Sequence, residues 1–552
     1  MKKTLFILLC CLQFPLWAQE NSAPKPEELL SFQTNTQQLL PGEYLYYSIR
    51  LRRVAQENPL EIRQKIAYIA LADAQGQSKA VQQIILEPAA GTYIGQGELF
   101  IPTSLPTGGY TLLSYTPEML ENTALALPQI PIALLNPYSN ARSKGVAEIG
   151  PEAETKAIAP KTPSLTLATE QWTAFSPPKD LPKNGRYNLS VRKISALHSQ
   201  AYFNPTPLEP QEEEAMPKTL IYSAAGVRGT ISSNSQSVDK IGISLSFLGQ
   251  NMPFKMTATN AQGQFNFPLT AAVNSSQSLL HIWSADPKDF QIKLDSFPSP
   301  AASRIKKAAL KLLSSDLEAL QNRSIHNQIE NAYNPFKQDS IPLENAPMSR
   351  LDRYEMSPYM LDDYTRFNTF EETVFELISE LSYKKTSNGT AVLFCKSVQR
   401  NIAVAALPLL LLDGVPIADQ NDFRRYPASE IKSISVSRQQ LVMGDQIWNG
   451  LIVVQTFSGI PETYMAQKSL KIWNLDLPRL KKKYHQSQNS LMKSLPNYAQ
   501  QLIWLPNQSP AAIAQFKGFK TPQYPGFFEV SIEGHSLSGT PYHFKRVYEV
   551  KD

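Results

Sequence analysis

Apolar residues recur along this chain in short blocks separated by turn formers. Between residues 24 and 138 the blocks Tyr44–Leu51, Ile66–Leu71, Val81–Leu86, Thr92–Ile101 and Gly109–Tyr115 are rich in β-branched and aromatic side chains. Pro41-Gly42, Asp73 to Gly76, Pro88 to Gly91 and Pro106 to Gly109 punctuate them. Short strands at that spacing predict a β-sandwich. A second sandwich is predicted over 218–298 from GVRGTI, IGISLSFLG, FKMTATNAQGQFNFPL, LLHIWSAD and FQIKLDS, with a Gly turn at Thr259–Phe265 leading into the alternation Phe265, Phe267. Strand-like pieces at Leu165–Ala168 and Tyr187–Ile194 fall in 164–217, and LIWLPN, FFEVSIEG and YHFKRVYEV predict a small closing β-unit at 501–552.

The period changes twice. Over 303–345, Ile305, Ala308, Ala309, Leu312, Ala319 and Leu320 recur at three- and four-residue steps, which predicts helix. Lys306, Lys307 and Lys311 at its start read as a solvated face. Over 350–460, Thr369 or Asn368 can cap a helix with Glu371 and Glu372 in its first turn and an apolar stripe Val374, Leu377, Ile378, Leu381. The strands AVLFC, LPLLLLDG, IKSISVSR and GLIVVQTFSG follow, so this stretch predicts a small α+β domain. The LLLLDG strand is apolar on both faces and is expected to be central and buried. Asp413, at a strand–Gly junction, reads as a turn former whose replacement by Ala leaves the fold nearly intact. Between these units, 139–163 reads as a flexible linker, Asn204 to Pro217 as an exposed acidic, Pro-rich insertion, and 461–500, with Lys481-Lys482-Lys483, as a basic linker or helix. The fold class is therefore multidomain and mainly β: tandem β-sandwich domains plus one small α+β domain.

Composition narrows the setting. The 552 residues carry 42 Pro against 24 Gly, 42% hydrophobic and 18% charged residues, and a net charge of +5, which gives no reason to expect a nucleic-acid partner. Lys2 and Lys3, the apolar run Leu5 to Leu12 and Ala18 have the layout of a signal peptide over 1–18. Leu9 before Cys10 is not a lipobox, so lipidation is not expected. Removal of 1–18 leaves Cys395 as the one cysteine, which precludes an intramolecular disulfide. Cys395 lies in an apolar run and is expected to be a buried, inert thiol. The strongest later apolar stretch, Ile402 to Val415, is interrupted by Pro408, Asp413 and Gly414, so no transmembrane span is expected.

Three sets of motifs carry resemblances. Pro41-Gly42-Glu43, IALADAQGQ, Gly95 and Gly97, LPTGGYTLLSYTPEM (Leu105–Met119) and LLNP (Leu134–Pro137) resemble the macroglobulin-type domain of large exported Bacteroidota proteins. TNAQGQF resembles the T-D-x-x-G-x-F-x-F hairpin of carboxypeptidase-regulatory-like and immunoglobulin-like domains, with Asn260 in place of the usual acid. LLLLDGVPI (Leu409–Ile417), YPASEIKSISV (Tyr426–Val436) and GDQIWNGLIVVQT (Gly444–Thr456) resemble the plug domain of TonB-dependent outer-membrane receptors. DDYTRF (Asp362–Phe367) matches the variant in exported proteins that also carry the macroglobulin-type domain. Such receptors follow the plug with a barrel of about 22 strands. Only 93 residues follow Gly459 here (552 − 459), so a channel is not expected. The resemblance implies a non-catalytic, exported envelope scaffold, periplasmic or outer-membrane associated, that docks on an outer-membrane β-barrel protein or complex. Asp362, Asp363, Tyr364, Arg366, Asp413, Gly414 and Pro416 are the candidate docking or turn residues.

Motifs for chemistry are sparse. The six histidines are scattered, and HExxH, CxxC, G-x-S-x-G, Walker A and G-x-G-x-x-G are absent. Gly95-Gln96-Gly97 reads as a tight turn, and Asp362-Asp363 lacks EF-hand spacing. Cys395-Lys396-Ser397-Val398-Gln399 is one residue longer than the C-x-x-Q core of a thioester trap, which disfavours that device. No metal or cofactor is expected, and the alternative function is a hydrolase or peptidase of unrecognised type.

Overall fold

The computed structural model describes residues 28–552 except 54–64, 90, 124, 150–162, 204–224, 248–253, 270–272, 274–276, 284–288, 343–353, 387–388, 397–405, 418, 444–445, 460–470 and 487–494. The expected signal peptide, the expected acidic insertion and residues 150–162 of the expected linker thus lie outside the described residues. The fold is mainly β. Among the described residues no helix is long and apolar enough to cross a membrane.

The first sandwich is one folded-over sheet of eight strands, ordered Glu28–Thr34, Tyr44–Arg53, Thr92–Phe100, Ser78–Ala89, Lys65–Ala72, Gly108–Tyr115, Gln129–Leu134, Gln38–Leu39. The Ser78–Ala89 strand makes the fold-over. Its first part pairs with Lys65–Ala72, and Glu87, Pro88 and Ala89 pair with Thr92–Phe100. The sheet closes on Tyr47, Tyr68, Leu71, Leu112 and Tyr115. Gly95 and Gly97 lie inside the Thr92–Phe100 strand, not in a turn. A Cβ at Gly97 would fall 2.2 Å from the Tyr47 hydroxyl, and one at Gly95 within 2.8 Å of Ile84 and Leu86, so these glycines make room for core side chains.

The second sandwich pairs a sheet of Gln264–Pro268, Gly226–Ser233 and Phe290–Leu294 with one of Phe254–Ala258, Gly242–Phe247, Gln277–Trp283 and Ile472–Asn474. In its hairpin Asn260 Oδ1 accepts the amides of Gln262 and Gln264 at 3.1 and 2.9 Å, and Gly263 takes φ +72°. The turn needs only an acceptor there, which an amide oxygen supplies as well as a carboxylate.

Three expectations are corrected. The closing β-unit is not independent: Leu165–Ala168, Pro541–Lys551, Gly526–His535, Arg186–Lys193 and Gln501–Gln508 form one sheet, so 164–217 and 501–552 share a core. Ala308–Leu313 is a strand, not helix, and sits between Gln200–Phe203 and Val146–Ile149; the latter gives part of the expected linker a fixed place. Gly109 permits this, because a Cβ there would lie 2.7–2.8 Å from backbone atoms of Ala308 and Ala309. The helix begins at Leu317 and runs to Tyr333, clamped on the Pro41-Gly42-Glu43 turn. Arg323 binds both carboxylate oxygens of Glu43 at 2.8 and 2.7 Å, and Asn327 and Asn331 donate to the carbonyls of Pro41 and Gly42 at 2.8 and 3.0 Å.

The third correction concerns 461–500. Its described part contains no helix; it is a strap across both sandwiches. After the Ile472–Asn474 strand, the Arg479 amide donates to Gln83 O at 2.9 Å. Lys481 pairs with Glu87 and Lys482 with Glu98, both at 2.6 Å. The lysines act here as tethers to the first sandwich.

Candidate docking surface

Residues 354–459 contain a five-stranded sheet, ordered Ser357–Met360, Ile431–Met443, Gln446–Thr456, Leu409–Leu412, Val415–Pro416. Leu409–Leu412 runs parallel to Gln446–Thr456 and antiparallel to Val415–Pro416, and all four leucines are buried. Its two apolar faces have different covers. Leu410 and Leu412 join Phe370, Val374, Phe423, Ile452 and Val454 under the module's own helices. Leu409 and Leu411 join Leu441, Trp448 and Leu451 against Phe254 of the second sandwich. Trp448 meets Trp283 edge to face at 5.5 Å, and Trp283 is held by an indole N–H bond to Ser244 Oγ at 3.1 Å.

The Phe370–Leu377 helix starts as its sequence dictates. Thr369 Oγ1 accepts the Glu372 amide at 3.2 Å, while Glu372 accepts the Asn368 amide at 3.0 Å.

The candidate residues gather at one end of this sheet. Asp413 (φ +47°) and Gly414 (φ +83°) both take the left-handed conformation that a two-residue hairpin turn requires. The Asp413 amide donates to Val454 O at 2.8 Å; its carboxylate accepts the Thr456 amide at 2.9 Å and the Thr456 hydroxyl at 2.7 Å. Asp413 is therefore a pinned turn residue, which corrects the expectation that its side chain is dispensable to the fold. Pro416 is buried and cannot touch a partner directly.

Arg366 is also structural. Its guanidinium donates to the carbonyls of Ala428 and Ile431 at 2.9 and 3.0 Å and to Asp362 Oδ1 at 2.5 Å, and lies 5.3 Å from the centre of the Phe457 ring. Asp362 and Asp363 form the Leu361–Asp363 turn with exposed carboxylates. The DDYTRF loop and the Asp413 turn thus flank the Thr456-Phe457 strand end. Met360, Tyr364 and Phe457 are 41%, 44% and 48% exposed there. Sequence reasoning named Tyr364 and missed the other two. The available signal was an aromatic residue immediately past the end of an apolar strand.

Groups with chemical potential elsewhere are engaged in structure. Cys395 is buried with its thiol 3.8 Å from Ser437 O, and burial pushes its pKa up to about 11, away from the reactive thiolate. Ser199, His198 and Asp316 meet, but in an order unlike a triad. Ser199 Oγ donates directly to Asp316 at 2.6 Å, and the same carboxylate accepts the amides of His198 and Ser199 and lies 3.3 Å from the His198 ring. A cleft of about 670 Å³ opens under the strap, lined in part by Gln82, Glu98, Phe297, Asp476 and Arg479; Glu98 in it is already bound by Lys482 and Tyr484. Among the described residues no group of three His, Cys, Asp or Glu is placed to hold a metal ion.

No family model and no curated protein matches this chain. Among solved structures it is similar to Salmonella alpha-2-macroglobulin reacted with methylamine, at 9% identity and TM-score 0.22, over 95% of this chain and 39% of that one. Native E. coli alpha-2-macroglobulin gives 8% and 0.22 over 96% and 40%. The CARDB domain of a Pyrococcus furiosus protein gives 9% and 0.15 over 20% of this chain and 89% of that domain. The chain spans about two fifths of the length of the macroglobulins it matches. The immunoglobulin-like β-sandwich character of this protein rests on the strand pairings above.

Proposed function

We propose that this protein is a non-catalytic, exported scaffold of the cell envelope, whose 350–460 module is plug-like and docks on an outer-membrane β-barrel protein or complex. The observation that carries this reading is the exposure of Met360, Tyr364 and Phe457 near the sheet end that Arg366 and the Asp413 turn fix in place. Large apolar side chains left exposed at one end of a sheet are candidates for an interaction site. The module's other sheet face is sealed against the second sandwich, so its body is an anchored platform rather than a free lobe. The signal-peptide layout and the plug-like motifs are what favour this compartment and this class of partner.

The test is co-purification from detergent-solubilised outer membranes with the full chain and a Met360→Ser/Tyr364→Ser/Phe457→Ser variant. A β-barrel protein retained by the first and lost by the second is the expected result. Equal retention by both, or retention after deletion of the module, would refute the docking role.

A further inference from the structure

We draw no further inference here: the strongest candidate, the cleft of about 670 Å³ under the strap, carries no built site, because Gln82 is spent on Tyr47 and the Glu98 carbonyl, the Glu98 carboxylate is spent on Lys482 and Tyr484, and Asn474, Asp476 and Arg479 stand exposed with nothing in the structure to show what they would hold.

Discussion

Thr456 closes the Asp413 turn twice over, with its amide at 2.9 Å and its hydroxyl at 2.7 Å from the two oxygens of one carboxylate. Asp413→Ala removes both acceptors and places a Cβ-bearing residue without local hydrogen bonds at φ +47°. The expected cost is about 1–3 kcal/mol. Native-state amide exchange of the Gln446–Thr456 strand should speed up correspondingly, and Asp413→Asn should recover part of the loss. Exchange unchanged in the alanine variant would show that the turn does not hold the strand.

Leu411 is fully buried between Trp448 and the second sandwich. Leu411→Asp should unfold the module, since an unpaired buried carboxylate costs several kcal/mol. Leu411→Ala should cost about 2–5 kcal/mol and leave it folded. Near-ultraviolet circular dichroism of the Trp283–Trp448 pair separates the two outcomes, and a native spectrum for Leu411→Asp would mean that the strand is misplaced.

The Arg323–Glu43 pair is buried, with side chains 9% and 11% exposed. Arg323→Met strands the Glu43 carboxylate and should cost about 3–5 kcal/mol. The double variant Arg323→Met/Glu43→Leu should be more stable than that single one, because no lone charge remains. Urea unfolding of wild type, Arg323→Met, Glu43→Leu and the double variant forms the cycle, and a double variant weaker than Arg323→Met would contradict it.

Burial lowers the pKa of His281, His326, His485 and His535 below the ordinary histidine value, and Lys193 lowers that of His326 further. The His326 ring lies between Tyr498 and Tyr524, with centroids at 5.0 and 4.5 Å. The folded protein therefore binds fewer protons than the unfolded chain just below about pH 6.5. Stability should be flat above that value and fall as the pH drops through it, before carboxylates contribute below about pH 5. Thermal melts across pH 8 to pH 5 read the slope, and His326→Gln should reduce it. A melting temperature that rises on acidification would reverse the sign and refute this account.

The first sandwich was legible in the sequence because its strands are short blocks rich in β-branched and aromatic residues and its turns carry Pro and Gly where the chain reverses. Ala308–Leu313 was not, because two alanines and three leucines at that spacing fit a helix stripe and a buried strand equally. What decides is Gly109, distant in sequence, whose missing Cβ admits the strand's backbone. Val146–Ile149 is a four-residue strand inside a polar, Pro/Ala-rich stretch, too short to stand out, and is specified by the partner strand it joins. At the candidate surface, Asp413 and Arg366 stood out by motif, yet both act inward, on Thr456 and on the carbonyls of Ala428 and Ile431. Met360 and Phe457 were overlooked because periodicity assigns apolar residues to a core, and only packing shows which are left outside.

The sheet that joins Leu165–Ala168 to Pro541–Lys551 and Arg186–Lys193 to Gln501–Gln508 sets a timetable for synthesis. The early strands emerge from the ribosome roughly 300 residues before the late ones, a delay of roughly 15–60 s at translation rates of about 5–20 residues per second. For that interval Tyr187, Leu189 and Val191, all fully buried in the finished sheet, have no partner strands to cover them. Whatever keeps the nascent chain from aggregating must shield these three side chains until residue 501 and beyond has been made.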